Sequence, residues 1–111
     1  MKVCITSKGT TLDSPAEERF GRAPYFIFVD TDTGSVEAVQ NPFADGAGGV
    51  GPRAAQLLTS HGAGAMVSGQ VGGNAREALL TAGIAMYTYG DGGTVADALE
   101  KFRNDALTRT G

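Results

Sequence analysis

The two side chains that most often carry nucleophilic or metal chemistry each occur once in this chain, as Cys4 and His61. One thiol and one imidazole make neither an internal disulfide nor a zinc site with the usual ligand spacing. A Cys-His or Ser-His-Asp hydrolytic set would have to rest on His61 alone. Cys4 lies in the β-branched run Lys2-Val3-Cys4-Ile5-Thr6-Ser7 and is expected in a core. His61 precedes Gly62 at an expected helix end, where the helix dipole accounts for it. The first strand offers Cys4 and Thr6 where a two-metal nuclease would need a carboxylate. The chain is therefore read as a binding protein and not an enzyme.

What remains for recognition is glycine and arginine. Gly46-Ala47-Gly48-Gly49-Val50-Gly51 satisfies the G-x-G-x-x-G pattern of dinucleotide binding. That fingerprint belongs after the first strand of a βαβ unit, with an acid about 20 residues on for the ribose. Here it follows a hairpin strand, and no acid appears until Glu77. The stretch is better read as a flexible wall of an anion pocket, facing Arg19-Phe20-Gly21-Arg22.

A length of 111 residues suits one domain over residues 1–111. The net charge of −3 offers no global field for nucleic acid or a bilayer surface. No run is long enough to span a membrane, and the start lacks a secretory h-region, so a cytoplasmic location is expected.

The elements follow from periodicity and breakers. After the first strand comes a long excursion over residues 8–24, of a length that in small domains is often functional. Residues 25–31 and 35–41, joined at Asp32-Thr33-Gly34, predict an antiparallel hairpin whose second strand lies at an edge open to dimerisation. Pro52 falls in the first turn of a helix that closes at His61-Gly62, and residues 63–69 form a short buried strand. An internal echo follows at an offset of 20: Ala65-Met66 returns as Ala85-Met86, Gly72-Gly73 as Gly92-Gly93, and Ala78-Leu79 as Ala98-Leu99. Met66 and Met86 are expected in the core. Asn74 with Glu77, and Thr94 with Asp97, each predict a helix N-cap with an acid three residues on.

Right-handed crossovers then give an α/β/α domain around a five-stranded mixed sheet of order 3-2-1-4-5, strand 2 antiparallel and helices on both faces. Every unusual loop falls on one rim, where ligands of open α/β sheets bind. Up to three helix N-termini there would present free N–H groups to an anion. No acid lies between Gly46 and Arg76, while Arg53 and Arg76 are basic and Lys8, Arg19 and Arg22 add to the field. An anionic, fairly bulky ligand suits such a rim.

Arg19-Phe20-Gly21-Arg22-Ala23-Pro24-Tyr25-Phe26, with Val29-Asp30 and Asp32-Thr33-Gly34, resembles the dinitrogenase iron-molybdenum cofactor biosynthesis family. That family includes NifX, NafY, the C-terminal part of NifB and the orange proteins of sulfate reducers. The likeness continues through Asn41-Pro42, the Gly48-Gly49 to Gly51 loop, Ala54-Ala55, Ser68-Gly69 to Gly72, Asn74-Ala75, Ala82-Gly83-Ile84 and Gly93-Thr94-Val95. It implies a ribonuclease-H-like fold and non-catalytic binding or carriage of a molybdenum-containing metal-sulfur cluster. The cluster would be an iron-molybdenum cofactor precursor or a molybdenum-copper sulfide. Many relatives carry His where this chain has Arg19, and that His has been considered a cofactor ligand. A guanidinium stays protonated and does not normally coordinate metal, so Arg19 implies electrostatic pairing with a non-covalently held cluster.

The expected contributors are Arg19, Phe20, Gly21 and Arg22 in the long loop, Gly48, Gly49 and Gly51 before the first helix, and Gly69, Val71, Gly72 and Asn74 before the second. Expected partners are a cluster-handling ATPase or nitrogenase-type assembly proteins. The alternative is an interaction or regulatory module that binds no cluster and works with such an ATPase.

Overall fold

A computed structural model of the chain describes residues 1–43, 50–89 and 93–111. Strands β1 (Lys2–Ser7), β2 (Tyr25–Asp30) and β3 (Val36–Gln40) precede helix α1 (Val50–Ser60), strand β4 (Ala63–Ser68), helix α2 (Gly73–Thr81), strand β5 (Ala85–Thr88), helix α3 (Val95–Arg103) and strand β6 (Thr108–Arg109). The sheet order is β3-β2-β1-β4-β5-β6. β1 runs antiparallel to β2 and parallel to β4, and β4 runs parallel to β5. The expected order and directions hold, with one strand added. β6 pairs antiparallel with β5 through only two residues, both exposed, so it has no buried face to leave a mark in the sequence.

Alternation along each strand feeds two cores. Cys4, Phe26, Phe28, Met66 and Met86 face α1 and α2, where Ala54, Leu58, Ala75 and Leu79 meet them. Val3, Ile5, Ile27, Val29, Ala65 and Val67 face α3 through Val95, Ala98 and Leu99, and Leu12 and Ala16 of the long loop join them. The loop is therefore part of the second layer.

The 20-residue echo has a geometric meaning: Ala65 pairs with Ala85 and Met66 with Met86 across neighbouring parallel strands. Gly62, at φ +78, takes the left-handed conformation that lets the chain leave α1 and enter β4. Among the described residues no helix is long and apolar enough to cross a membrane.

Candidate functional site

Strand directions bring the ends of β1, β4 and β5 to one rim, and residues 8–24 cross it as a strap held by backbone hydrogen bonds. Glu17 N donates to Thr6 O at 3.0 Å, and Thr6 Oγ1 donates to Glu17 O at 2.6 Å. Beyond β4, Gln70 N donates to Glu18 O at 2.5 Å and Phe20 N to Gln70 O at 3.0 Å, so Arg19 and Gln70 form a short parallel bridge. At the far side, Ala16 N donates to Gly93 O at 2.9 Å. The strap thus joins β1, β4 and the start of α3.

Residue types explain the path. Phe20 is 1% exposed and stacks on Phe26 with ring centroids 5.5 Å apart. Its ring anchors the strap in the core, which differs from the expected contact with a ligand. Arg19 and Arg22 on either side stay exposed. Asn41, 3% exposed, holds the following turn by donating from Nδ2 to Gly21 O at 3.2 Å and Ala23 O at 2.9 Å. Its Oδ1 accepts from Phe43 N at 3.0 Å. A Cβ on Gly69 would lie 2.7 Å from Glu18 O, so glycine there permits the strap to sit against the end of β4.

The helix N-termini are not equivalent. At α3, Val95 N donates to Ser14 O at 2.9 Å, Ala96 N to Leu12 O at 2.8 Å, and Asp97 N to Thr94 Oγ1 at 3.2 Å. With Asp97 Oδ2 accepting from Thr94 N at 3.0 Å, the predicted capping box is complete. The hydrogen bonds from Thr94 hold the Asp97 carboxyl below its ordinary range. This terminus has no N–H left for an anion, which corrects the expectation of three open termini. At α2 the N-cap is Gly72, which offers no side-chain bond, and Asn74 lies inside the helix. The predicted Asn74–Glu77 cap does not form, because the helix begins two residues earlier than the echo implied. The N–H groups of Gly73, Asn74 and Ala75 donate to no described residue.

The structure therefore brings together Arg19, Gly69, Gly72 and Asn74 around the junction of strap and α2. Val71 is half-buried against the α1/α2 core, and Gly21 lies in the turn held by Asn41. Gly48 and Gly49 lie outside the described residues, and Gly51 falls within the first turn of α1, not in a loop before it. Arg53 sits 5.9 Å from the Phe43 ring centroid, and Arg76 donates to the Thr110 carbonyl, so it ties down the C-terminal segment.

Sequence reasoning missed Glu17. It is 9% exposed, and its Oε2 accepts from Arg19 N at 3.1 Å and lies 3.8 Å from Arg19 Nε. In the sequence it is one member of the string Glu17-Glu18-Arg19 with nothing to single it out. Asn41 was visible only within a longer likeness, with no hint that it holds the strap.

The soft ligands are elsewhere. Cys4 is fully buried in mid-strand, and burial raises its thiol well above the ordinary range. His61 precedes β4, at the opposite edge of the sheet, where it stacks on Phe28 at 4.8 Å and lies 3.4 Å from Glu37 Oε1. This side-chain packing, more than the helix dipole, accounts for it. Among the described residues no three His, Cys, Asp or Glu side chains converge. A groove of about 500 Å³ also opens between α1 and α2, with Ala55, Ala78 and Ala82 along it and Asn74 at its rim end.

The sequence profile described as dinitrogenase iron-molybdenum cofactor matches residues 1–105. The apo orange protein from Desulfovibrio gigas has a TM-score of 0.94 at 35% identity, covering 99% of this chain and 92% of its own. A Thermotoga protein solved by NMR, described as a NifB protein of the DUF35 family, has a TM-score of 0.88 at 42% identity, with 97% and 91% covered. A comparison with curated proteins finds no match. Profile, identity and shared architecture agree, and the chain belongs to the dinitrogenase iron-molybdenum cofactor family.

Proposed function

We propose that residues 1–111 work as one cytoplasmic, non-catalytic carrier of an anionic molybdenum-containing metal-sulfur cluster, held where Arg19 meets the first turn of α2. The observation that carries this reading is the asymmetry of the helix ends. α3 is closed by the strap and its own capping box, while three N–H groups of α2 beside the Arg19–Gln70 bridge have no described acceptor. Such N–H groups and a guanidinium favour negative charge, and cluster sulfides or oxo groups can accept their hydrogen bonds.

Donor chemistry bears on how the cluster is held. The only thiol is buried in β1 and the only imidazole lies at the opposite edge. The cluster would therefore arrive with its coordination complete and be held non-covalently, as an iron-molybdenum precursor or a molybdenum-copper sulfide would. Its supplier or recipient would be a cluster-handling ATPase or a nitrogenase-type assembly protein.

Anaerobic titration of the apo protein with tetrathiomolybdate and Cu(I), followed by visible absorption, tests this. A saturable optical change is expected, with Arg19→Ala weakening it about three- to tenfold, as befits loss of an exposed charge-assisted contact. No saturable change would refute cluster carriage and favour the cluster-free interaction module, whereas an Arg19→Ala protein that binds as the wild type does would refute the assignment of the site to Arg19.

A further inference from the structure

Glu17 is nine-tenths buried yet lies in the strap of the site, beside the residue proposed to meet the ligand. Burying a carboxylate is unfavourable unless it is partnered. Its partners are Arg19 N at 3.1 Å and Arg19 Nε at 3.8 Å. The pair is asymmetric. Glu17 belongs to a residue fixed through both backbone groups to Thr6, whereas the Arg19 side chain is 62% exposed. One member is part of the frame and the other is an arm that reaches solvent.

We infer that Glu17 is a positioning residue that holds Arg19 at the rim and competes with the anionic ligand for its guanidinium, setting how readily the ligand leaves. The inference rests on the cluster-binding reading above. An anion arriving at Arg19 must share a guanidinium already facing a carboxylate, so binding is weakened and release eased. A carrier that delivers its cargo requires such a limit on affinity.

The probe is tetrathiomolybdate under anaerobic conditions, with affinity and release rate measured for each protein. Glu17→Gln keeps an acceptor for Arg19 N and removes the charge. It is expected to tighten binding about two- to fivefold, mostly through slower release, the range set by a solvent-screened ion pair. The gain should largely vanish on an Arg19→Ala background. Glu17→Asp should stay near the wild type. Glu18→Gln removes a neighbouring charge whose carboxylate has no partner among the described residues, and should change little. An equal gain from Glu18→Gln, or on the Arg19→Ala background, would indicate general repulsion and overturn the inference. Unchanged or weaker binding by Glu17→Gln overturns it while leaving cluster binding intact. Failure of the wild type to bind removes both. The Arg19 Nε–H resonance of the wild type, which requires no variant, should move on adding the probe, and a resonance that stays in place also refutes the competition.

Discussion

Replacing Gly69 with alanine tests the mounting of the strap directly. The added Cβ would stand 2.7 Å from Glu18 O and 3.2 Å from Glu18 Cα. Ordinary carbon–oxygen contact begins near ~3.3 Å, so strap and strand end must part by roughly half an ångström. The obstacle is backbone, and that carbonyl already accepts from Gln70 N at 2.5 Å and Ser68 Oγ at 3.3 Å, so no rotamer change relieves it. Separation strains the Gln70–Glu18 and Phe20–Gln70 hydrogen bonds, at about 0.5–1.5 kcal/mol each. Overpacking adds about 1–3 kcal/mol. The lower entropy of the unfolded alanine chain returns about 0.4–1 kcal/mol. The net loss is about 1–5 kcal/mol, which for a domain of this size lowers the Tm by at least about 5 °C. Gly72→Ala is the control: its φ of −64° suits alanine and no atom lies within 4 Å of the added Cβ, leaving only the cost of alanine at an N-cap, at most about 1 kcal/mol. Thermal unfolding of the two variants, followed by circular dichroism, decides the matter. If Gly69→Ala melts with Gly72→Ala, the close approach of Glu18 to Gly69 is not a constraint and the strap is not seated as described.

Three further expectations follow from particular contacts. Asn41→Ala removes both amide donations to the turn after Phe20 and strands one buried and one part-buried acceptor, so urea unfolding should show a loss of about 1.5–3 kcal/mol. Cys4 should resist thiol reagents under native conditions and react only as fast as the protein unfolds, since its thiol is buried and its ionisation disfavoured; rapid native labelling would contradict its place in the core. Because hydrogen bonds from Thr94 depress the Asp97 carboxyl, its stabilising effect is present above the ordinary aspartate range and is lost as pH falls through the depressed folded value. Asp97→Asn should therefore be less stable than the wild type near neutrality and converge with it in acid, below about pH 4, as read from urea midpoints.

The sheet was legible because β1, β2 and β4 are largely buried runs and the strands after β3 alternate with helices, and the echo of Ala65-Met66 in Ala85-Met86 even foreshadowed their pairing. The site was less so, for two physical reasons. Most of the strap's attachments run between backbone groups, as in Phe20 to Gln70 and Ala16 to Gly93, and such bonds impose little on residue type. Side chains also took roles their types did not announce. Phe20 went inward, Arg76 turned to the C-terminal segment, and Glu17 was buried while its neighbour Glu18 stayed exposed. The cap at Asn74 failed because Gly72 served two residues earlier, whereas Thr94 with Asp97 formed as its spacing required.

The backbone mounting of the strap makes position 19 a socket. The main chain there is fixed by its neighbours through Glu18 O, Phe20 N and the Glu17 carboxylate, and among the described residues the Arg19 side chain pairs only with that same carboxylate. The side chain can be exchanged without unseating the loop, so an imidazole, a guanidinium or an amide would be presented from the same point. Were Arg19 to meet the ligand as proposed, divergence in what members of this fold hold could proceed at one exposed position while the scaffold stays as it is.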